Sequence, residues 1–408
     1  MDDRRLYETI LGLPEPWYEA EVEVRKDEGE VRIRVELAEG SELSCPECSA
    51  PVPGYDRGVE RRWRHLDTCQ YRTVLVAQIP RVQCAEHGVH QIRIPWAEER
   101  SRFTALFEAW AIRLLRETTL SGLAELMGLS WDEAEGILGR AVARGLARRE
   151  EQPLRVVGID ETSFQKRHEY VTVVADLDRE CVAWVGDDRR KETLEAFWQS
   201  RSAEERAGIE EVVMDMWEPY ISATAHCLPD GSSKIVFDRF HVAQHLNDAV
   251  DKVRRAEHAR LRKLGDERLK GTKYIWIKGP KRRGRKEMTA IRELSRSGLK
   301  VGRSWALKEA IRKLWDYTYV GWALKHFKWW YSWAVRSQLP PMIRAAKMMK
   351  RRLPGILGYL RNRRTNAFSE ALNAKIQEVK YRARGYRNRD NFRRAILFHC
   401  GGLQMNPL

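Results

Sequence analysis

The chain has 408 residues, enough for roughly two to four domains, each with its own core. It carries 73 lysines and arginines against 58 aspartates and glutamates, a net charge of +15. The amino terminus is charged and no long apolar stretch follows it, so the sequence predicts neither a secretory signal nor a membrane span. An odd number of cysteines, seven, fits a reducing compartment better than a disulfide framework.

The excess of positive charge lies in one part of the chain. Residues 252–394 contain 41 lysines and arginines against 10 aspartates and glutamates, interleaved with many tryptophans and tyrosines. The rest of the chain is mildly acidic. Because a solvated surface normally mixes both signs, this segment favours the binding of a polyanion such as nucleic acid.

Alternating apolar and charged residues over 20–38 predict a two-stranded ribbon. Beyond it lie two short pairs of metal-ligating residues: Cys45, Cys48, Cys84 and His87. Each pair has the spacing of a zinc knuckle, so together they predict one structural zinc site whose loss should unfold the amino-terminal module. The alternative is that all four are packed or surface residues without a metal. His65 and Cys69 lie nearby and are expected to be core residues rather than ligands.

From 103 to 150 the apolar residues take the spacing of helices. The pattern predicts a helix over 105–116, a short helix that ends before a turn at Gly128, and a further helix opened by a capping box of Ser130 and Glu133. This is the arrangement of a helix-turn-helix. The last helix is predicted to expose a basic face that contacts DNA, formed by Arg140, Arg144 and Arg148. Two packed helices without a DNA contact remain the alternative.

A short apolar run over 155–160 ends in Asp160, which predicts a buried strand with a carboxylate at its end. Two further strands, a helix and a strand ending in Asp215 follow, and then a helix and a fifth strand before Asp238. This order is the one used by ribonuclease H-like cores. Carboxylates on adjacent strand ends can share two divalent ions, although a turn-forming role for Asp160 is the alternative. Glu161 is expected to face away from Asp160, because side chains alternate along a strand.

The segment 246–354 is long, basic and helical, and is predicted to be an insertion. Its tryptophans are expected to form mostly the core of a helical subdomain, with a minority stacking on bases. Contacts with the phosphate backbone are predicted for Lys281, Arg282, Arg283, Arg285 and Lys286. The alternative is that these cations form solvated linkers.

A helix is predicted from about Ala367 to Tyr381, with an apolar stripe on one side. Its other face carries Glu370, Asn373, Gln377 and Lys380. Lys380 is a further predicted DNA contact. Taken alone, Glu370 is best interpreted as a surface ion-pair partner.

Several short motifs of the chain together resemble those of the ISL3-family insertion-sequence transposases. The matching segments are 45–48 with 84–87, 64–69, 158–161, 214–220, 237–242 and 365–370. The resemblance implies an α/β multi-domain DDE transposase with a ribonuclease H-like, mixed-sheet catalytic core. An all-α insertion would interrupt this core, and zinc-binding and helix-turn-helix modules would precede it. The catalytic acids that it implies are Asp160, Asp215 and Glu370, with Asp238 and His241 in accessory roles.

This resemblance implies a division into a zinc-binding module (1–98), a helix-turn-helix domain (99–152), a first core segment (153–245), a basic helical insertion (246–354) and a final core segment (355–408). It also implies two Mg²⁺ (or Mn²⁺) ions bound by the three acids, and a structural Zn²⁺. The expected partners are double-stranded DNA, as terminal inverted repeats and target, and a second copy of the chain in a homodimer or higher oligomer. The expected location is the bacterial cytoplasm, on the nucleoid when bound to DNA, without a membrane.

Two other functions compete with cleavage and strand transfer. A repressor derived from a transposase would bind the element ends without cutting them. A nuclease of the same fold would cut without joining. Three carboxylates in an otherwise cationic region argue against a pure binding protein, because binding DNA does not need them.

Overall fold

The computed structural model describes residues 3–150, 152–165, 169–279, 283–362 and 367–407. The chain folds as two compact units, one formed by residues 1–150 with 403–408 and the other by residues 151–402. The division into five domains therefore stays a prediction. Within the described ranges, no helix is both long enough and apolar enough to cross a membrane.

The first unit contains a five-stranded sheet. Its strands are β1 (Trp17–Arg25), β2 (Glu30–Leu37), β3 (Gly54–Arg64), β4 (Arg72–Cys84) and β5 (Gly88–Gln91). The order is β1-β2-β4-β3, and β5 pairs with β4. Strands β1 and β2 are an antiparallel hairpin, which confirms the predicted ribbon. The hairpin turns at Gly29, whose φ of 62° is a left-handed conformation that glycine adopts without strain.

An aromatic core supports this sheet. The indoles of Trp17 and Trp63 both pack edge-on against Trp96, with ring centroids 4.9 and 5.5 Å apart. Tyr7 of the first helix, α1 (Asp3–Leu11), joins the same cluster. The sheet thus has an apolar core of its own.

Three helices complete the first unit: α2 (Ala105–Glu117), α3 (Leu120–Met127) and α4 (Trp131–Ala147). Gly128 ends α3 with a φ of 60°, as a helix C-cap requires. Ser130 and Glu133 form the predicted capping box at the start of α4. Ile137 is buried where α4 packs on its neighbours. The predicted helix, turn and helix are therefore confirmed.

The second unit is built on a mixed sheet. Its strands are β6 (Val156–Gln165), β7 (Glu169–Asp176), β8 (Cys181–Gly186), β9 (Glu211–Met214) and β10 (Ile235–Phe237). They lie in the order β10-β9-β6-β7-β8. Strands β6, β7 and β8 form the predicted antiparallel meander, while β9 and β10 run parallel to β6. Parallel strands bring their carboxyl ends to one edge of the sheet.

Helices follow β8 and alternate with the last two strands. They are α5 (Lys191–Gln199), α6 (Ala203–Gly208), α7 (Glu218–Cys227) and α8 (Gly231–Lys234). A basic helical region follows β10. It contains α9 (Arg239–Arg262), α10 (Lys273–Ile277), α11 (Arg285–Arg296), α12 (Lys300–Arg312), α13 (Val320–Val335) and α14 (Pro340–Arg351). The chain then returns to the sheet through α15 (Leu353–Asn362), α16 (Ala367–Arg382) and α17 (Arg389–Cys400).

Helix α15 packs closely on the edge strand β10. A Cβ atom at Gly355 would lie 2.6 Å from the Phe237 ring, so this approach needs glycine. The sheet and the helical region also share one apolar cluster, which extends from Val157 in β6 to Trp330 in α13. The long helix α9 begins at the sheet edge and runs into the helical region, so it links the two.

The tryptophans of the helical region are divided between its core and its surface. Trp276, Trp315 and Trp330 are buried, as a core role requires. Three others on α13 are exposed: Trp322, Trp329 and Trp333. The opposite face of α13 packs into the core, so the helix is anchored without these three rings.

Candidate functional site

Asp160 and Asp215, two of the predicted catalytic acids, lie at the carboxyl edge of the second sheet, beside Asp238. Ile159 of β6 pairs with Met214 of β9, so Asp160 and Asp215 occupy the next positions on adjacent parallel strands. Met214 also pairs with Phe237 of β10, which places Asp238 beside Asp215 in the same row. Adjacent strands are about 4.8 Å apart, a separation at which carboxylates can share a cation.

His241 lies above the second acid of this row. Its Nε2 is 2.7 Å from Oδ1 of Asp215 and 4.0 Å from Oδ2 of Asp238. Asp238 is buried and accepts a hydrogen bond from the Phe240 amide, so it caps α9 and fixes the helix turn that carries His241. The Asp-x-x-His motif therefore orients an imidazole on Asp215.

The face of α16 that the sequence predicted docks along β6. The Asn373 amide donates to Oδ2 of Asp160, and the Gln377 amide donates to the Thr162 hydroxyl. The Lys380 ammonium donates to the carbonyl and hydroxyl of Ser163, at 2.7 and 3.0 Å. Glu370 belongs to the same helix, one turn before Asn373, but its side chain lies outside the described part of the structure.

The charges at this edge disfavour one another. Burial, reinforced by the charge of Asp215, raises the pKa of Asp160 to about 7. Burial lowers the pKa of His241, but its contact with Asp215 and the surrounding carboxylates outweigh burial and raise it overall. Neighbouring carboxylates whose negative charges repel one another are stabilised by a bound cation. Carboxylate oxygens are ligands that suit Mg²⁺ or Mn²⁺.

The acid that follows Asp160 in the sequence forms an ion pair with an arginine. Glu161 lies 3.4 Å from the Arg189 guanidinium, and its orientation away from Asp160 stays a prediction. Arg189 is stacked between the rings of Tyr170 and Trp217, at 4.2 and 5.1 Å from their centroids. The sequence shows no sign of this stack, because its members are distant in the chain.

The four predicted zinc ligands also lie together. Their ligand atoms are all within 4.8 Å of one another: those of Cys45, Cys48, Cys84 and His87. Sγ of Cys48 is 3.9 Å from Sγ of Cys84, and Nδ1 of His87 is 3.8 and 3.5 Å from Sγ of Cys45 and Cys84. Ligands around tetrahedral zinc are about 3.6 to 3.8 Å apart, so the cluster fits this metal.

The backbone of each pair stabilises a thiolate. The amide of Cys48 points at Cys45 and lowers the pKa of its thiol, and the amide of His87 does the same for Cys84. His65 is not a ligand, because it is buried with Nδ1 2.9 Å from the Thr104 hydroxyl. Cys69 is exposed and lies outside the cluster. His65 is therefore a core residue, as predicted, whereas the prediction of a core position is wrong for Cys69.

The predicted basic face of α4 is wrong at Arg144. This side chain is buried, and it donates to Glu98 at 2.6 Å, to Glu108 at 3.0 Å and to the Met405 carbonyl. Arg140 is half-buried and pairs with the same Glu108 at 2.6 Å. Arg148 is exposed, with a hydrogen bond to the Asn406 carbonyl. Arg144 holds the helices and the carboxyl-terminal tail together and is not free to contact DNA.

Replacing Arg144 by methionine should destabilise the first unit by about 3 kcal/mol. The substitution leaves Glu108, whose side chain is only 2% exposed, with Arg140 alone to balance its charge. Urea unfolding, monitored by limited proteolysis, measures the change in the free energy of unfolding. Arg148→Met, on the exposed part of the same helix, is the matched control and should stay within about 0.5 kcal/mol of wild type. Equal effects of the two substitutions would contradict the buried ion pair.

Two other predicted DNA contacts are also used inside the fold. Arg283 is buried and pairs with Glu309 at 2.6 Å, so the expectation of a free surface cation is wrong there. The ammonium of Lys380 is held by Ser163 and serves to dock α16. Arg285 and Lys286 are exposed as predicted. Lys281 and Arg282 lie outside the described residues.

The known families and relatives agree with this layout. Residues 157–396, more than half of the chain, match the ISL3 family model of DDE transposases, which is described as "Transposase". The chain belongs to the ISL3 transposase family. Residues 41–87 match the zinc finger of the transposases of IS204, IS1001, IS1096 and IS1165, and residues 92–142 match the family's helix-turn-helix domain.

Relatives cover almost the whole chain. The transposase for insertion sequence element IS1557 of Mycobacterium tuberculosis is 27% identical over 418 residues, which cover 95% of this chain and 93% of the relative. The transposase for IS1001 of Bordetella parapertussis is also 27% identical, over 96% of this chain and 97% of the relative. This ISL3-family chain is therefore a DNA transposase, and no comparison favours a repressor.

Proposed function

We propose that the chain binds the terminal inverted repeats of its own insertion sequence and catalyses metal-dependent cleavage and transfer of the DNA strands. Asp160, Asp215 and Glu370 are the catalytic acids of this proposal. The observation that carries it is the register of β6 and β9, which sets Asp160 beside Asp215, together with the docking of α16 on Asp160. The strand order β10-β9-β6-β7-β8 further supports a ribonuclease H-like core.

The residues at the sheet edge have separate tasks in this reaction. Asp160, Asp215 and Glu370 would hold two Mg²⁺ or Mn²⁺ ions, which activate the attacking oxygen and stabilise the leaving oxygen when they are bound. His241 holds the Asp215 carboxylate in one orientation, and Asp238 fixes the start of α9 beneath His241. Asn373 holds Asp160 from the other side.

The reaction needs two kinds of displacement at phosphorus. In the first, water attacks the phosphodiester at the element end, and the 3′ oxygen leaves as a free hydroxyl. In the second, that hydroxyl attacks a target phosphodiester and a target oxygen leaves, so one bond forms for each that breaks. Neither displacement requires a covalent intermediate with the protein.

Specific binding to the ends belongs to the first unit. The helix-turn-helix and the zinc site would read the inverted repeats. The exposed cations Arg148 of this unit and Arg285 and Lys286 of the second unit would contact phosphates. Because two ends must be held together before joining, the active assembly is a homodimer or a higher oligomer.

A cleavage and joining assay tests the proposal. The purified full chain is incubated with DNA that carries the element's own ends, in the presence of Mg²⁺ or Mn²⁺. The proposal expects cleaved ends and products joined to target DNA, and neither in EDTA. Binding without cleavage would identify a repressor, and cleavage without joined products would identify a nuclease, so either result overturns the proposal.

Asn373→Ala should lower the cleavage rate by about 10- to 100-fold, because residues that orient metal ligands contribute on this scale. The substitution frees the Asp160 carboxylate to rotate but removes no ligand. Single-turnover kinetics and a DNA-binding titration separate the two effects, and DNA affinity should not change. Lys375→Ala, exposed on the same helix, is the control and should cleave at the wild-type rate. If Asn373→Ala cleaved DNA at the wild-type rate, Asn373 would not be needed to position the Asp160 carboxylate.

A further inference from the structure

Helix α13 carries a row of rings, four of them exposed and the fifth, His326, half-buried, here named the aromatic stripe. It consists of Tyr319 just before the helix and four residues within it: Trp322, His326, Trp329 and Trp333. Steps of three and four residues place them on one face of a helix. Tyr319, Trp322, Trp329 and Trp333 are 73, 59, 56 and 39% exposed. The core-facing side of α13, with Phe327 and Trp330, is buried separately.

The rings of the stripe form a continuous surface. The centroid of His326 is 5.4 Å from that of Trp329, which is 5.6 Å from that of Trp333. Six tryptophans are exposed among the described residues, and three of them lie in this stripe. Exposed tryptophans that cluster on one helix are unusual for a surface with no binding role, because burying each large ring away from water is favourable.

Cations flank the aromatic stripe. Lys325 and Lys328 are exposed on the same helix and Arg336 follows its end. The ammonium of Lys325 lies 4.6 Å from the centroid of the Trp322 ring. The sequence of α13 contains no aspartate or glutamate. A second copy of α13 packed against the stripe would bring like charges together, whereas a polyanion would complement them.

The rings decide which polyanion fits. In a DNA duplex the faces of the bases are stacked on one another, so the aromatic stripe could reach only edges and phosphates. Unpaired bases offer their faces, and proteins that bind single strands combine aromatic platforms with cations in this way. We infer that the aromatic stripe binds a stretch of unpaired DNA by stacking on its bases. The inference rests on the proposed function, because cutting at an element end frees strand termini that can unpair.

Binding of a labelled oligothymidylate and of a mixed-sequence duplex of equal length to the full chain tests the inference. Fluorescence anisotropy is measured without added Mg²⁺ or Mn²⁺, where no cleavage occurs and the structural zinc is retained. The double variant Trp329→Leu with Trp333→Leu should bind the single strand about 10- to 100-fold more weakly. The matched Trp329→Tyr with Trp333→Tyr should remain within about threefold of wild type, because tyrosine still stacks. Duplex affinity should change less than about twofold in both variants.

Trp110→Leu is the control for loss of an exposed tryptophan. Trp110 lies on α2 of the first unit beside Arg113, and its loss should leave single-strand affinity unchanged. Equal weakening of duplex and single strand, or no weakening, would overturn the inference. So would a leucine variant that loses self-association in sedimentation but keeps single-strand affinity, since the partner would then be a second copy. Failure of the cleavage assay leaves this binding measurement intact, so the two claims fail separately.

Discussion

Asp160→Asn and Asp215→Asn should each lower the rate of DNA end cleavage about 10³-fold or more. Asparagine keeps the size of the side chain but removes the charge that a divalent cation requires. DNA affinity should hold or rise slightly in the same variants, because each substitution removes a negative charge that repels the phosphates. Single-turnover cleavage of end DNA and a binding titration without added Mg²⁺ or Mn²⁺ measure the two quantities.

Glu218→Gln is the matched control for these substitutions. Glu218 is close to Asp215 in the sequence, but it is exposed and pairs with Arg352. The same change from acid to amide should therefore leave cleavage within about threefold of wild type, as for a surface ion pair. If Asp160→Asn cleaved as well as Glu218→Gln, the acids at the sheet edge would not be catalytic.

Cys84→Ser should abolish the zinc site and unfold the segments that the metal holds together. Structural zinc contributes about 10 to 16 kcal/mol in small zinc modules, as much as or more than the whole stability of a typical domain. Cys84 is the last residue of β4, so the β4–β5 hairpin and the loop of Cys45 and Cys48 should become sensitive to protease. The Trp17, Trp63 and Trp96 core should limit this unfolding to the metal end of the sheet.

Cys69→Ser is the corresponding control. Cys69 is exposed and lies outside the ligand cluster, so its loss should leave the zinc content at one ion per chain and the protease pattern unchanged. Elemental analysis of both variants, with limited proteolysis, gives the answer. Full zinc content in Cys84→Ser would show that these four residues do not bind the metal.

Local patterns in the sequence predicted the parts of the fold that depend on neighbouring residues. The capping box of Ser130 and Glu133 was predictable because its members are three residues apart. Asp160 and Asp215 were predictable because each ends an apolar run that forms a strand. The face of α16 with Asn373, Gln377 and Lys380 followed from helical spacing alone, although its contact with β6 did not.

The predictions that were wrong concern which face of a helix packs. Helical spacing puts Arg140, Arg144 and Arg148 on one side of α4 but does not show that this side meets Glu108 and the chain terminus. Arg283 is buried for the same reason, through a distant partner, Glu309. In α13 the sequence predicted a minority of exposed tryptophans but did not show which ones they are. Two of its faces are aromatic, and only tertiary packing decides which one stays in solvent.

The central claim is that Asp160, Asp215 and Glu370 form one divalent-metal site. The most direct measurement replaces Mg²⁺ by Fe²⁺ and adds ascorbate and peroxide, so that radicals formed at the metal cleave the polypeptide nearby. The account predicts cuts next to residues 160, 215 and 370 that excess Mg²⁺ suppresses and that Asp215→Asn lacks. Cuts near 160 and 215 without any near 370, or cuts that persist in Asp215→Asn, would contradict it.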